Sequence, residues 1–371
     1  MPPTPSDEIF MQRAIELAQK GWGKTHPNPI VGALIVEDGE IVAEGWHQQA
    51  GQDHAEVAAL KALGRDPKPG ATLYVTLEPC STEGRTGACT DAIQRAGIKK
   101  VVVGATDPNP AHAGHGYAVL RENGVEVVTG VLEQSCTDLN LIFNHWVVHQ
   151  RPLIAAKVAS TLDGKTATRD GHSKWITGAE ARRDVHRWRR YFPAIAVGSG
   201  TVRTDDPALT SRLDEIWCPR RFVFDRALRT VREPLPQLYA DEWRGNTTII
   251  TELDDAPQRH TLLDKQGVQV WNVSGRHFFE AFIEECAAHG ITGVYIEGGS
   301  SLLGLLFEEH RIDYLFAYRA PLFLADPEAL PGLQGLYPKT LQEAPRLVNV
   351  RHETYGDDQL MHGEVQYPEN A

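Results

Sequence analysis

The sequence predicts an α/β protein of two domains, residues 1–150 and 151–371, on three observations. Its 371 residues are more than one ordinary hydrophobic core accommodates. Both halves alternate short apolar, β-rich runs with stretches of helical periodicity. Between the two series stands Arg151-Pro152, where the proline pushes the preceding residue out of the helical region.

In the first half, Phe10, Ala14, Leu17 and Ala18 share one face of a helix that ends at Gly21. Residues 30–37 and 40–44 read as a hairpin, because Asp38-Gly39 is the strongest short turn signal. A helix over 54–63, a strand over 73–77, a Gly-containing loop and a helix opening near Cys89 follow. The strand 100–104, a helix over 117–122, a short strand 125–128 and a single helix over 132–148 complete it. A hairpin followed by βα units implies a mixed sheet covered by helices. In the second half, strands are expected at 153–159, 194–198, 221–225, 247–251, 268–271, 294–297 and 314–318. Helices are expected at 179–191, 277–289 and 301–309, while the tail after Pro321 has weak periodicity and receives no assignment.

Hydrophobic content of 42% and charged content of 23% are those of a folded globular chain. Without a run of eighteen apolar residues there is no transmembrane helix, so no membrane partner is expected. The stretch 1–7 is Pro-rich and acidic and lacks the basic and apolar regions of an export signal. Five cysteines, odd in number and unevenly spread, argue against a disulfide framework and for a reducing cytoplasm. The net charge of −12 is unlike that of a general nucleic-acid binder, although charge alone does not exclude RNA. Locally clustered arginines still suit an anionic small molecule, because charges beyond a Debye length of ~8 Å are screened.

The first chemical signal is His54-Ala55-Glu56 at a helix start, with Pro79-Cys80 and then Cys89 downstream. One imidazole and two thiolates give a tetrahedral Zn2+ three protein ligands and leave one position open, as catalytic zinc requires. At a helix N-terminus the dipole favours the Cys89 thiolate. Glu56 is not needed as a ligand and is placed as general acid/base, the pattern of zinc nucleobase deaminases. Asn28, before the first strand, is placed to hydrogen-bond substrate. A closed structural zinc would need a fourth ligand; Cys136 and His47 lack the motif context for it. His112 and His115 have no acidic or thiol company and read as a loop.

These residues also carry a resemblance. Thr25-His26-Pro27-Asn28-Pro29-Ile30-Val31-Gly32, His54-Ala55-Glu56 and Leu77-Glu78-Pro79-Cys80, with Gly84-Arg85-Thr86 and Cys89, resemble the bifunctional riboflavin biosynthesis deaminase/reductase family. Eight residues separate the cysteines, where cytidine and tRNA adenosine deaminases generally carry two. Thr82 stands where the family usually has His, and Gly87-Ala88 where it has Pro-Pro. The resemblance continues through Lys157–Lys165, Ser173–Gly178, Val197–Thr201, Asp205–Arg212 and Glu297–Leu302. It implies a cytidine-deaminase-like α/β/α domain joined to a dihydrofolate-reductase-like α/β domain that uses NADPH.

Physically, Gly298-Gly299 ends a strand and opens a helix whose bare amides suit a phosphate. No G-x-G-x-x-G follows the first strand, so this is not a Rossmann dinucleotide site. By resemblance, Ala159, Trp175, Thr201, Asp205 and the segment Gly299, Ser300, Ser301, Leu302, Leu303, Gly304, Leu305 fall on the cofactor side. Ser173, Arg189 and Arg212 match positions that hold a ribotide 5′-phosphate, and Leu209 and Glu297 match substrate positions. Arg182, Arg183, Arg187 and Arg190 are expected on a solvated helix face. Lys157 is either a group that polarises or protonates the sugar oxygen or a structural ion-pair partner. Arg226 departs from the small polar residue expected after Val223-Phe224-Asp225, and Ala320–Pro327 lacks the family's glycine.

The expected activity is therefore deamination of a small pyrimidine ribotide phosphate followed by NADPH-dependent reduction of its ribosyl group, by a cytoplasmic homo-oligomer. One rival is a tRNA deaminase with an accessory C-terminal domain, which needs a basic groove and aromatics for a flipped base. Another is a binding protein whose catalytic halves have decayed, against which the intact His54, Glu56, Cys80 and Cys89 speak.

Overall fold

The structure, a computed structural model, describes residues 4–82, 87–213, 215–253 and 255–368. The Gly84-Arg85-Thr86 motif lies outside the described residues. The chain forms two compact units, Met1–Gln150 and Arg151–Ala371.

The first unit runs α1 (Pro5–Gln19), β1 (Gly32–Glu37), β2 (Glu40–Trp46), α2 (Ala55–Leu63), β3 (Thr72–Leu77), α3 (Cys89–Arg95), β4 (Lys100–Ala105), α4 (His115–Glu122), β5 (Glu126–Val128), α5 (Glu133–Asp138) and α6 (Leu141–His149). The sheet order is β2-β1-β3-β4-β5, antiparallel around β1 and parallel from β3 to β5. Asp38 and Gly39 both have positive φ, 54° and 82°, the twist-matched hairpin turn that this dipeptide favours. Strand alternation divides the core. Leu34, Val36, Tyr74 and Val102 meet Met11, Ala14 and Leu17 of α1. On the other face Ala33, Ile35, Leu73, Val75 and Val101 meet Ala55, Ala59, Ile93 and Leu120.

The single helix expected over 132–148 is instead two, α5 and α6, and the break has a cause. Asn140 is buried, and its side chain accepts from the Ile30 N–H at 2.8 Å and donates to the Ile30 carbonyl at 3.0 Å. The amide thus completes the backbone pairing of Ile30, two residues from Asn28, where no strand neighbour does so.

The second unit contains β6 (Leu153–Thr161), β7 (Lys165–Ala167), α7 (Ala179–Tyr191), β8 (Ala194–Gly198), α8 (Ser199–Asp205), β9 (Ser211–Arg212), β10 (Ile216–Trp217), β11 (Arg220–Phe224) and α9 (Gln237–Ala240). It continues with β12 (Thr247–Thr251), α10 (Pro257–Gln266), β13 (Gln269–Asn272), α11 (Phe278–Ala288), β14 (Gly293–Ile296), α12 (Ser300–Glu308), β15 (Tyr314–Ala320), β16 (Leu330–Pro331), β17 (Arg346–Tyr355) and β18 (Asp358–Gln366). Its main sheet, β13-β12-β11-β8-β14-β6-β15-β18-β17, is parallel up to β15 and ends in an antiparallel hairpin. That hairpin is the tail left unassigned from sequence. Its strands are charged on their exposed face, and β17 is interrupted by a register shift between Val348 and Arg351, so its period-2 signal is weak. Phe278, Phe279 and Phe282 of α11 pack on Phe222 and Phe224 over one face. Over the other, Trp188 of α7 packs tilted against Phe316, and Phe192, just after α7, stacks on Tyr295.

Close packing of α2 on the hairpin sets the first site. A Cβ on Gly45 would lie 2.3 Å from the Ala59 nitrogen and 2.5 Å from the Ala55 carbonyl oxygen. Gly45→Ala is therefore expected to push α2, with His54 and Glu56, off the sheet, at a cost of about 1–3 kcal/mol. Thermal unfolding should report a lower midpoint, and deaminase turnover should fall while the reductase half is spared.

Candidate active sites

In the first unit three donor atoms converge. His54 is the N-cap residue of α2, Cys80 follows β3, and Cys89 opens α3. His54 Nδ1 lies 3.2 Å from Cys89 Sγ and 3.5 Å from Cys80 Sγ, and all three donor atoms fall within 4.8 Å of one another. Among the described residues no fourth His, Cys, Asp or Glu joins this cluster. Cys136 lies in the opposite core layer, its sulfur against Gly104. One imidazole and two sulfurs at this spacing are the donor set of an open tetrahedral zinc, so the residues present fit that metal.

The electrostatics agree with the geometry. Hydrogen bonds from the Cys89 side chain, then from His54 and the Cys89 amide, draw the Cys80 thiol far below its usual range against the opposing effect of burial. Glu56, on the first turn of α2, is 3% exposed; burial pushes its carboxyl up to about 7, with the Cys89 thiol in hydrogen-bond reach. A carboxyl near neutrality, unligated and beside the metal position, can both take and give a proton.

The positioning roles of two residues of this site, His47 and Glu78, were not apparent from sequence. His47 Nδ1 lies 2.9 Å from the Asp53 carbonyl, which only accepts, so the neutral ring turns an acceptor Nε2 toward the Asn28 amide at 3.2 Å. Burial lowers the pKa of His47 and keeps it neutral. The second is Glu78, whose carboxylate accepts from the amides of Asp107, Gly114 and Gly116 at 2.9–3.2 Å. It thereby pins the loop carrying His112 to the segment that follows β3. A lone histidine at a strand end has no periodicity to announce it.

The second unit holds a cavity of about 1160 Å³ at the carboxyl ends of β6, β8, β11 and β14, where open parallel sheets bind ligands. Lys157, Ala159, Ser173, Trp175, Arg189, Thr201, Asp205, Leu209, Arg212, Glu297, Leu305 and the run Gly299 to Leu303 line it. Gly304 does not. It faces away, where a Cβ would meet the Gln334 carbonyl oxygen at 1.7 Å, so it serves close packing rather than ligand contact. Gly299, the N-cap residue of α12, has open space where a Cβ would stand, leaving the helix amides accessible to a phosphate. These features fit a dinucleotide.

Arg189 is not a free fork. Its Nε and Nη2 pair with both Glu297 oxygens at 2.5 and 2.9 Å, and Nη1 donates to the Thr210 carbonyl at 3.0 Å. Lys157 Nζ stands 3.9 Å from Glu297, and burial lowers its pKa while Glu297 opposes that. His186, unremarked in the sequence, accepts from the Arg212 N–H at 3.2 Å. Burial, then Arg189 and Arg212, push its pKa down to about 4, leaving it neutral among cations. Arg182 departs from the solvated face expected for it: its guanidinium lies 4.6 Å over the Trp175 ring at the cavity wall.

A zinc-type nucleobase deaminase unit followed by a parallel-sheet reductase unit is the class these two sites define. Residues 4–105 match the cytidine and deoxycytidylate deaminase zinc-binding region, and residues 152–361 match the RibD C-terminal domain. The chain is 40% identical to riboflavin biosynthesis protein RibD of Actinobacillus pleuropneumoniae, over 96% of this chain and 95% of that one. It is 37% identical to the RibD of Escherichia coli K12, over 96% and 98%. Among solved structures it resembles the Thermotoga maritima diaminohydroxyphosphoribosylaminopyrimidine deaminase/5-amino-6-(5-phosphoribosylamino)uracil reductase, with a TM-score of 0.80, 37% identity and coverage of 98% and 99%. RibD of Acinetobacter baumannii gives a TM-score of 0.78 at 35% identity, covering 97% and 99%. The chain belongs to the RibD family of bifunctional riboflavin biosynthesis enzymes, and it is a zinc-dependent deaminase and an NADPH-dependent reductase. The tRNA deaminase alternative is not favoured. No helix of the described residues is long and apolar enough to cross a membrane.

Burial raises the pKa of Glu297, but Arg189 and then Lys157 overcome it and hold the carboxyl at about 2, against an ordinary 4.5. Between these values the unfolded chain binds the extra proton, so this contribution is complete above pH 4.5 and disappears as pH falls toward 2. Its size is about 3 kcal/mol. In urea titrations, the stability difference between wild type and Glu297→Gln should be largest near neutrality and shrink through that acid window.

Proposed function

We propose that the first unit deaminates 2,5-diamino-6-ribosylamino-4(3H)-pyrimidinone 5′-phosphate and that the second then reduces the ribosyl group to ribityl, giving 5-amino-6-(5-phosphoribitylamino)uracil. The convergence of His54, Cys80 and Cys89 beside an unligated, buried Glu56 is the observation that carries this reading. His54 Nδ1 and the two sulfurs hold the zinc. Bound zinc supplies Lewis acidity that makes water a nucleophile at neutral pH. The Glu56 carboxylate takes one proton of the attacking water and delivers it to the ring nitrogen, then carries the second, from the hydroxyl added to the ring carbon, to the departing amine. Asn28, oriented by His47, presents its amide oxygen and second N–H to the pyrimidine.

In the second unit Ser173 and Arg212 meet the 5′-phosphate, and Arg189 adds the N–H groups left over from its pair with Glu297. Leu209 and Glu297 form the substrate wall. Ala159, Trp175, Thr201, Asp205 and residues 299–303 with Leu305 form the cofactor wall, with the α12 amides facing a pyrophosphate. NADPH supplies the hydride when bound. Lys157 Nζ, held loosely by Glu297, donates a hydrogen bond to the sugar oxygen that gains charge. The two domains, 1–150 and 151–371, thus divide hydrolysis from reduction.

The substrates are small pyrimidine ribotides rather than nucleic acid, in keeping with the net charge of −12. Free cysteines throughout suit a reducing cytoplasm, and the exposed Phe323, Tyr337 and Leu341 suit a homo-oligomer.

Supplying the diaminopyrimidine ribotide, zinc and NADPH in one tube should release ammonia and oxidise the cofactor. Glu56→Gln should lower ammonia release by at least about a hundredfold, within the range of general acid–base catalysis, with zinc content unchanged by metal analysis. Full deamination by that variant refutes the proton-transfer role. Chelation of zinc should silence deamination, leave reduction of pre-deaminated substrate intact, and be reversed by zinc alone.

A further inference from the structure

The cavity of the second unit extends past β8 to β11, and its far wall carries two arginines not yet accounted for, Arg226 and Arg229. Both follow β11, at the carboxyl end of the strand. The Arg226 guanidinium carbon lies 4.4 Å from the centre of the Phe278 ring, and its one ion-pair contact among the described residues is a loose 3.8 Å approach to Glu252. The Arg229 side chain makes no ion pair among the described residues, while its backbone N–H donates to Asp225 at 2.9 Å. Asp225 is buried and spent on that turn, accepting also from the Thr230 N–H and hydroxyl. Asp206, also on the wall, accepts from the Gln237 N–H at 2.7 Å. Asp205 and Glu252 remain as opposing charges, and neither forms a close pair with these arginines.

The order of strands says what would reach them. Lys157 on β6 and Glu297 after β14 mark the reducing end of the cavity, and the open amides of α12, also after β14, suit a pyrophosphate. β11 is two strands beyond β14, roughly 10 Å at ~4.8 Å per strand. A dinucleotide with its nicotinamide at β6 and its pyrophosphate on α12 therefore lays its adenosine ribose toward β11. A dianionic phosphate ester is the natural partner for two planar cations there, because a guanidinium binds phosphate through paired, charge-assisted hydrogen bonds.

We propose that Arg226 and Arg229 recognise the 2′-phosphate of NADPH and so select it over NADH. The proposal rests on the cofactor side assigned above. Arg226 then turns the position where a small polar residue was expected into a cationic clamp, held over Phe278 so that little side-chain freedom is lost on binding.

The test is direct binding to the full-length, zinc-loaded protein by calorimetry, using 2′,5′-ADP against 5′-AMP and NADPH against NADH. For Arg226→Ala and Arg229→Ala, affinity for 2′,5′-ADP and NADPH should fall about tenfold or more each, as loss of a charged hydrogen-bond pair implies, while 5′-AMP and NADH are unchanged. Arg226→Lys should recover part of the loss. Equal weakening of both members of each pair, or no weakening, overturns the proposal. A wild-type protein that binds neither NADPH nor 2′,5′-ADP would instead refute the cofactor side itself.

Discussion

The approach of α2 to the β1–β2 hairpin, permitted by the missing side chain at Gly45, is the constraint from which the first site follows. It sets the height of the helix above the sheet and so the position of its first turn, where His54 stands at the N-cap position and Glu56 is buried. Cys80 leaves the carboxyl end of β3, and the Cys89 amide donates to the Cys80 sulfur at 3.4 Å, fixing the second wall. Sheet, helix and loop thus bring donors from three places to one point. Glu56 could not remain an ordinary carboxylate there: the packing that positions it also removes its water and raises its pKa to about 7.

In the second unit Glu297 has the comparable organising role. It leaves the end of β14 and holds Arg189 of α7 by two hydrogen bonds and Lys157 of β6 at a longer distance. A buried cluster of two cations and one anion is costly unless each partner is well placed. Here the surplus positive charge faces a cavity proposed for phosphorylated substrates. The same surplus, with burial, keeps His186 neutral, so it can accept the Arg212 N–H and orient that residue.

Much of this was legible in the sequence wherever the determinant is local. Asp38-Gly39 specified a hairpin because only certain residues accept its backbone angles. The His-x-Glu and two-cysteine pattern specified a metal site because helix and strand geometry bring those spacings together. What escaped is long-range. Asn140 breaks a helix to pair with Ile30, 110 residues away, and no pattern within residues 132–148 encodes that partner. Arg189 is captured by Glu297 across 108 residues, so a fork that reads as a phosphate ligand is partly committed within the protein. His47 orients Asn28 through a tautomer that depends on the Asp53 carbonyl, a contact that only the folded chain makes.

By themselves the two thiols of the first site do not share one condition. Hydrogen bonds to Cys80 favour its thiolate, and that thiolate, with burial and Glu56, disfavours a second charge on Cys89. A divalent cation reverses the balance, since both sulfurs then face a charge larger than their mutual repulsion, and binding it releases protons. The pocket is therefore organised before it is charge-balanced. His54, Cys80 and Cys89 are held in place by backbone packing and helix starts, and two sulfurs with one imidazole are the donors that a thiophilic divalent ion prefers. The same logic explains why Glu56 stays outside the donor set. Two thiolates already balance a divalent cation, and a third anion on the metal would consume the carboxylate that must carry the proton.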